Sequence, residues 1–294
     1  MVEAEQRRGL VIVRCGRSSL HSGWRAGDGA EQWDLQLCPY EPGGTDWPAA
    51  RPGHKWDGLY AHLLADPGWR RYDYIWLPDD DIASDAGTIA RLFERCRQFD
   101  AAIAAPALTE DSYWSLAITK RNLSFATRAV SFVEVMVPCF RRDVLEQMLP
   151  TFLLSHRGAG WGLDFLWAKR LKREGLYVFD DLPVHHTRPL VAVRDRKLFD
   201  EYYRASKRFL AVHEIRPLLR TLRAWDAEGR LHKANQGAFL WRYLKGYDYL
   251  IRRNPWLLLG LIEEQTQGVR TRRTRWRRFT QNLRWPRRKR GHPA

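Results

Sequence analysis

The sequence has little of what marks many protein classes. Only four of its 294 residues are cysteine (Cys15, Cys38, Cys96 and Cys139), and no Cys-x-x-Cys pair occurs among them. A zinc ribbon is therefore not indicated, and reduced thiols in a cytoplasmic protein are the simplest account. No apolar run approaches the ~18 residues that a membrane-spanning helix needs. The longest late patch, Pro255 to Ile262, is far shorter. Met1 to Arg8 is charged with no apolar core behind it, so no signal peptide is expected. Gly-x-Gly-x-x-Gly and the Walker loop are both missing, which removes support for a dinucleotide fold or a P-loop enzyme. No internal repeat is visible. Acidic residues are missing from Gln267 to Ala294, a stretch with eleven Arg or Lys.

That last absence explains the charge. The chain carries +15, and setting the tail aside leaves about +4 for the rest, so the basic character belongs to the tail. The length suits one large α/β domain or two small ones. Fourteen Trp and eleven Tyr are many for this length. They suit stacking against sugars or bases, and equally a core.

Strands and helices alternate through the first two-thirds, which predicts a mixed, mostly parallel sheet flanked by helices. Leu10 to Val13 reads as a central parallel strand. Arg14 to Ser19 follows at the ligand-facing end, where Arg14 and Arg17 either meet a phosphate or lie on the surface. Trp33 to Tyr40 reads as a strand, Lys55 to Leu64 as a helix, and Ser84 or Asp85 as the cap of a helix ending near Phe99. Ala101 to Ala105 reads as a strand ending at Pro106, followed by strands over Tyr113 to Ile118, Ala129 to Phe140 and Leu176 to Phe179. Arg142 to Met148 reads as a helix. Phe199 to Ala211, Leu218 to Trp225 and Phe239 to Ile251 read as helices of a C-terminal extension. The expected division is 1–195 as the main domain, 196–266 as a helical extension and 267–294 as a basic, disordered tail.

Tyr72 to Ile82 organises the chain. An aromatic, β-branched run ends in Asp79, Asp80 and Asp81. A buried strand holds three adjacent anions only if something neutralises them. A divalent cation with oxygen ligands would do so; a solvated acidic turn is the plainer alternative. Asp79 and Asp81, Asp164, and His185 or His186 can converge at one sheet edge. Two carboxylates and an imidazole suit manganese before magnesium. Asp164 would remain for proton transfer, unless it only caps the helix after it. Glu134, in an apolar run, is either edge-exposed or paired.

These residues resemble a known pattern. Trp76 to Asp81 is similar to the Asp-x-Asp element of GT-A-type glycosyltransferases, and Gly160 to Asp164 to their Gly-Trp-Gly-acid segment, where the acid faces the acceptor. The chain more closely resembles the plant and bacterial family named domain of unknown function 707. Its Lys-Trp, Tyr-Asp-Tyr-Ile, Phe-Val-Glu with Met-x-Pro, Trp-Gly-Leu-Asp and His-Thr-Arg-Pro elements match Lys55-Trp56, Tyr72 to Ile75, Phe132 to Glu134 with Met136 to Pro138, Trp161 to Asp164, and His186 to Pro189. The resemblance spans about Leu10 to Pro189 and favours His186 over His185.

It implies a GT-A-like domain that moves a sugar from a nucleotide-sugar donor to a glycan or lipid-linked acceptor. Asp79, Asp81 and His186 would hold Mn2+ or Mg2+. Arg14, Lys55 and Asp79 would meet the nucleotide, and Trp161 and Glu134 the acceptor. Asp164 would be the general base. The rivals are a transferase-like binding protein without catalysis and a metal-dependent phosphohydrolase. Arg270 to Arg278, with Trp276 and Phe279 interleaved, reads as a solvated tail or as a dock for anionic lipid on the inner face of the membrane. Nucleic acid is not expected as a partner, and the expected location is cytoplasmic.

Overall fold

A computed structural model describes residues 9–44, 46–191 and 195–266. The basic tail lies outside the described residues. The strands are β1 (Gly9–Cys15), β2 (Trp33–Pro39), β3 (Tyr74–Trp76), β4 (Ile82–Ala83), β5 (Ile103–Leu108), β6 (Thr127–Val130), β7 (Cys139–Arg141), β8 (Leu176–His186), β9 (Thr221–Trp225) and β10 (Leu231–Lys233). The helices are α1 (Lys55–Ala65), α2 (Ala86–Gln98), α3 (Arg142–Met148), α4 (Leu163–Arg170), α5 (Arg196–Val212), α6 (Gly237–Gly246), α7 (Asp248–Arg253) and α8 (Leu257–Thr266).

The strands form one mixed sheet in the order β10-β9-β6-β8-β5-β7-β3-β1-β2, with β4 pairing on β8. Strands β1, β2, β3, β5, β8 and β9 share a direction, while β6, β7 and β10 oppose it. The fold is thus α/β, with a mostly codirectional sheet and a C-terminal region rich in helix. Every residue of β1 is buried, as its unbroken apolar run predicts for a strand between two parallel neighbours. β1, β2, β3 and β8 run out at the same edge, which delivers Gly16, Tyr40, Asp79 and His186 to one place.

Asp85 caps α2 as expected, its carboxylate accepting from Thr88 N at 2.9 Å. Other expectations need correction. Leu218 to Trp225 is not helical: Thr221 to Trp225 is β9, and with β10 it widens the sheet. The extension after residue 196 is therefore not wholly helical. Ala129 to Phe140 is two short strands, β6 and β7, because residues 131–138 leave the sheet between them. Its apolar side chains face the core from a loop, so periodicity alone misreads it. Tyr113 to Ile118 is not a strand. β5 continues through Pro106, which pairs with Phe179, and β8 runs on to His186. Phe239 to Ile251 is two helices.

Six tryptophans (Trp24, Trp33, Trp56, Trp69, Trp76 and Trp167) are fully buried, so much of the Trp excess is core. A second cluster forms where Phe239, Tyr243, Tyr247 and Leu261 pack with Phe125 and Ala224. The buried Arg128–Asp180 pair, 2.7 Å apart, ties it to the sheet, because Arg128 also donates to the Tyr247 hydroxyl at 2.8 Å.

Candidate active site

A cavity of about 670 Å³ opens at this edge of the sheet. Asp79, Asp80 and Asp81 form its floor, beside Lys55, Glu134, Trp161 and Asp164. The site residues expected from the sequence, His186 apart, all line this one cavity. His186 reaches it through Asp81.

The three acids follow β3 into a turn, so their side chains diverge. Asp79 Oδ1 accepts from Lys55 Nζ at 2.6 Å, and the same ammonium donates to the carbonyls of Val135 and Met136 at 2.9 and 3.0 Å. Burial pushes Asp79 above the usual carboxylate range, with Lys55 opposing, and pulls Lys55 below the usual ammonium range, with Asp79 opposing. Asp80 accepts from Gly16 N at 3.1 Å, Tyr40 Oη at 2.9 Å and Arg188 at 3.2 Å. Burial and the charge of Asp80 raise the Tyr40 phenol to about 12, so it stays a donor. Asp81 Oδ2 lies 3.2 Å from His186 Nε2. Against burial, the bond and charge of His186 hold Asp81 below its ordinary value. Against burial likewise, the bond and charge of Asp81 raise His186. Antiparallel pairing of Ile82 with His186 sets this contact. Asp79 and Asp80 thus face the cations Lys55 and Arg188, and Asp81 faces an imidazole.

His186 Nδ1 lies 2.8 Å from the carbonyl of Tyr113, which can only accept, so Nδ1 carries a proton and Nε2 faces Asp81. That backbone anchor is the one a metal-ligating imidazole commonly has. The chemistry of Asp81, His186 and Asp79 therefore fits manganese or magnesium. Among the described residues, however, no three His, Cys, Asp or Glu side chains are gathered as a metal cluster, and Lys55 sits on Asp79.

Arg14 does a different job from the one its position suggested. Its five N–H donors go to five backbone carbonyls, those of His54, Cys38, Pro39, Arg51 and Gly53. No donor is left for a phosphate, so Arg14 pins the 51–54 loop under Lys55. Arg17 is exposed and donates to Pro42 O at 2.9 Å.

Glu134 and Asp164 face the cavity together. Glu134 Oε1 accepts from Ser115 Oγ, while Oε2 is enclosed with no hydrogen-bond partner. Glu134 is thus neither at a sheet edge nor in an ion pair. Burial raises its carboxyl to about 7. Asp164 is 7% exposed, and burial and the neighbouring Glu134 hold its carboxyl well above the usual range. Asp164 is not the cap of α4: Gly162 takes that position in the left-handed region, and Asp164 sits in the first turn with Oδ1 2.8 Å from Phe165 N. Trp161 packs edge-on to Phe199 and tilted to Tyr202, both from α5.

Sequence reading did not find Arg188 as the partner of Asp80, although it stands in the His-Thr-Arg-Pro element. It also missed Tyr40, the aromatic face of α5, and Glu263 and Glu264 of α8, which line the same cavity.

No protein-family model and no curated protein matches the sequence. The resemblance to domain of unknown function 707 therefore rests on the motif residues quoted above. Among solved structures the chain is similar to S. aureus TarS 1–349 (11% identity, TM-score 0.46, covering 88% of this chain and 81% of that one). It is also similar to TarS 1–349 in complex with UDP-GlcNAc (11% identity, TM-score 0.48, covering 87% and 77%). A third similar structure is A197 from STIV (13% identity, TM-score 0.35, covering 78% and 95%). Against a further structure of S. aureus TarS the match covers 62% of this chain and 37% of that chain's length.

Proposed function

We propose that the protein is a GT-A-type glycosyltransferase that moves a sugar from a nucleotide-sugar donor to a hydroxyl of a glycan or lipid-linked acceptor. One observation carries this reading. A single cavity joins a floor of three carboxylates, set against Lys55, Arg188 and His186, to the carboxyls of Glu134 and Asp164, whose proton affinities burial raises. The first half suits a diphosphate leaving group and the second a proton from an acceptor hydroxyl.

The proposed cofactor is a divalent cation, manganese before magnesium, held by Asp81, His186 and Asp79. When bound it would supply charge neutralisation for the departing diphosphate. The chain's own groups do the rest. Lys55 and Arg188 bring positive charge to the donor end, and Tyr40 keeps a phenolic proton there. Trp161 offers a face to the acceptor ring. As the acceptor oxygen bonds to the anomeric carbon and the bond to phosphate breaks, the hydroxyl proton passes to the Glu134–Asp164 pair. Asp164 is the proposed base, and Glu134 shares the titration because the two carboxyls repel.

Incubating the protein and Mn2+ with a panel of nucleotide sugars, while following release of nucleoside diphosphate, tests this directly. One donor should be turned over, and Asp164→Asn should slow it by about 10²- to 10⁴-fold. Intact donors throughout, or an unaffected variant, would refute the assignment.

A further inference from the structure

We infer that α8 seats the protein on a membrane: its outward side, led by Trp256 and Leu259, sinks into the interface of a bilayer with anionic headgroups. This does not rest on the transferase reading.

The helix is more apolar than its place in the fold requires. From Leu257 to Ile262 it carries no polar side chain. Leu257 and Leu261 are buried and join the second core cluster with Phe239, Tyr243 and Tyr247. That uses one side of the helix. Trp256, Leu259 and Ile262 stand three residues apart along another. Trp256 is 78% exposed and Leu259 49%, and Leu258 and Ile262 are half-buried. Single exposed apolar residues are ordinary on a surface, but a row of them on one helix marks an interaction face. The polar residues of α8 are occupied elsewhere. Gln265 is buried and bonded at both ends of its amide to the backbone of Thr221, and Glu263 and Glu264 line the cavity.

Charge decides what covers this side. Exposed Arg252 and Arg253 stand just before it, the first paired with Asp248 at 2.5 Å and the second donating to the carbonyl of Glu110. Beyond Thr266 the sequence has eleven basic residues and no acid. An apolar row between cations suits a helix lying in an anionic lipid interface, with its indole at headgroup depth. A second copy would bring two such basic segments together, and like charges set against each other are unfavourable. A nucleic acid would satisfy the cations and leave Leu259 and Ile262 in water. Three apolar side chains alone bind a bilayer weakly, so the helix and the basic segment act together. Gly260, Glu263 and Glu264 of the same helix line the cavity, so seating α8 on lipid sets the cavity beside the phase that would hold a lipid-linked acceptor.

The experiment uses the full chain. Cys15, Cys38, Cys96 and Cys139 are all buried, so a thiol-reactive, polarity-sensitive dye attaches at Leu259→Cys alone. When vesicles of phosphatidylcholine with phosphatidylglycerol are added, its emission should shift to the blue and at least double, and nitroxide-labelled lipid should quench it. The same dye on Glu174→Cys, before β8 at the opposite edge of the sheet, should not respond. Replacing both side chains, Trp256→Ser with Leu259→Ser, should lower vesicle affinity about tenfold at an unchanged melting temperature. An unmoved Leu259→Cys dye on sedimented protein would leave docking to the basic segment alone and overturn the inference. A dye that responds without lipid, either to rising protein concentration or to removal of residues 267–294, would overturn it in favour of a second copy or of the chain's own tail. Unchanged vesicle affinity in the folded double variant would overturn it as well. Where that variant fails to fold, the dye reading decides.

Discussion

At the scale of single residues, burial sets the chemistry. Glu134 ordinarily titrates near 4.5, and in the fold burial raises it to about 7. The folded chain therefore holds this proton more tightly than the unfolded chain does. The associated stability is complete below about pH 4.5 and is lost as the pH rises toward 7. Glu134→Gln removes that loss, so the variant should melt higher than the parent at pH 8 and no higher at pH 4.5. Transfer should respond in the opposite sense. The pair takes the proton only when ionised, so the rate should climb as the pH rises through about 7, where Glu134 titrates, and Glu134→Gln, which removes the charge that raises Asp164, should move that limb to lower pH. Lys55 permits a second prediction. Lys55→Met frees Asp79 from its ammonium, so Mn2+ affinity measured by calorimetry should rise several-fold. Unchanged or weaker Mn2+ binding would argue that Asp79 is not a ligand.

The acid triplet was legible in the sequence because three adjacent carboxylates on an apolar strand demand counter-charge. The counter-charge on Asp80 was not, since Arg188 lies more than a hundred residues on. Arg14 was misread for the same reason, because the loop that consumes its donors folds over it from residues 51–54.

At the scale of elements, the Gly-Trp-Gly-Leu-Asp segment is a backbone device before it is a chemical one. Gly160 and Gly162 both have left-handed φ, +85° and +99°. A Cβ on Gly160 would lie 2.2 Å from Trp56 Nε1. The segment is thus wedged against a fully buried indole and turned so that Trp161 and Asp164 reach the cavity. Gly160→Ala adds backbone strain and a clash, together about 2–4 kcal/mol. The melting temperature should fall by roughly 5–10 °C, and transfer should drop even well below melting. An unchanged melting temperature would show the segment to be pliable. Element types were readable where an unbroken apolar run or a cap was present, as in β1 and α2. They were misread where apolar side chains face the core from a loop, as in residues 131–138, or where a basic stretch forms β9.

At the scale of the whole molecule, the cavity is assembled from distant segments: the ends of β1, β2 and β3, the Gly160 loop, α5 and α8. Sequence order hides such a wall, which is why Glu263 and Glu264 went unnoticed. Among the described residues no helix is long and apolar enough to cross a membrane. Electrostatic contact with lipid would fall to Gln267–Ala294, whose eleven basic residues are each worth about 1 kcal/mol near an anionic surface. Full-length protein should sediment with anionic liposomes at low salt, and a chain ending at Thr266 should not. Equal recovery of both would remove the tail from the account.

The central claim is that the acid triplet holds a nucleotide diphosphate with the help of a divalent cation. The most direct test is the melting temperature of the full chain with each common nucleoside diphosphate, with and without Mn2+. Saturation at about a hundred times Kd stabilises by about 2.7 kcal/mol. One diphosphate should therefore raise the melting temperature by several degrees with Mn2+, by less without it, and not at all in Asp79→Asn or Asp81→Asn. No shift with any diphosphate under either condition would contradict the account.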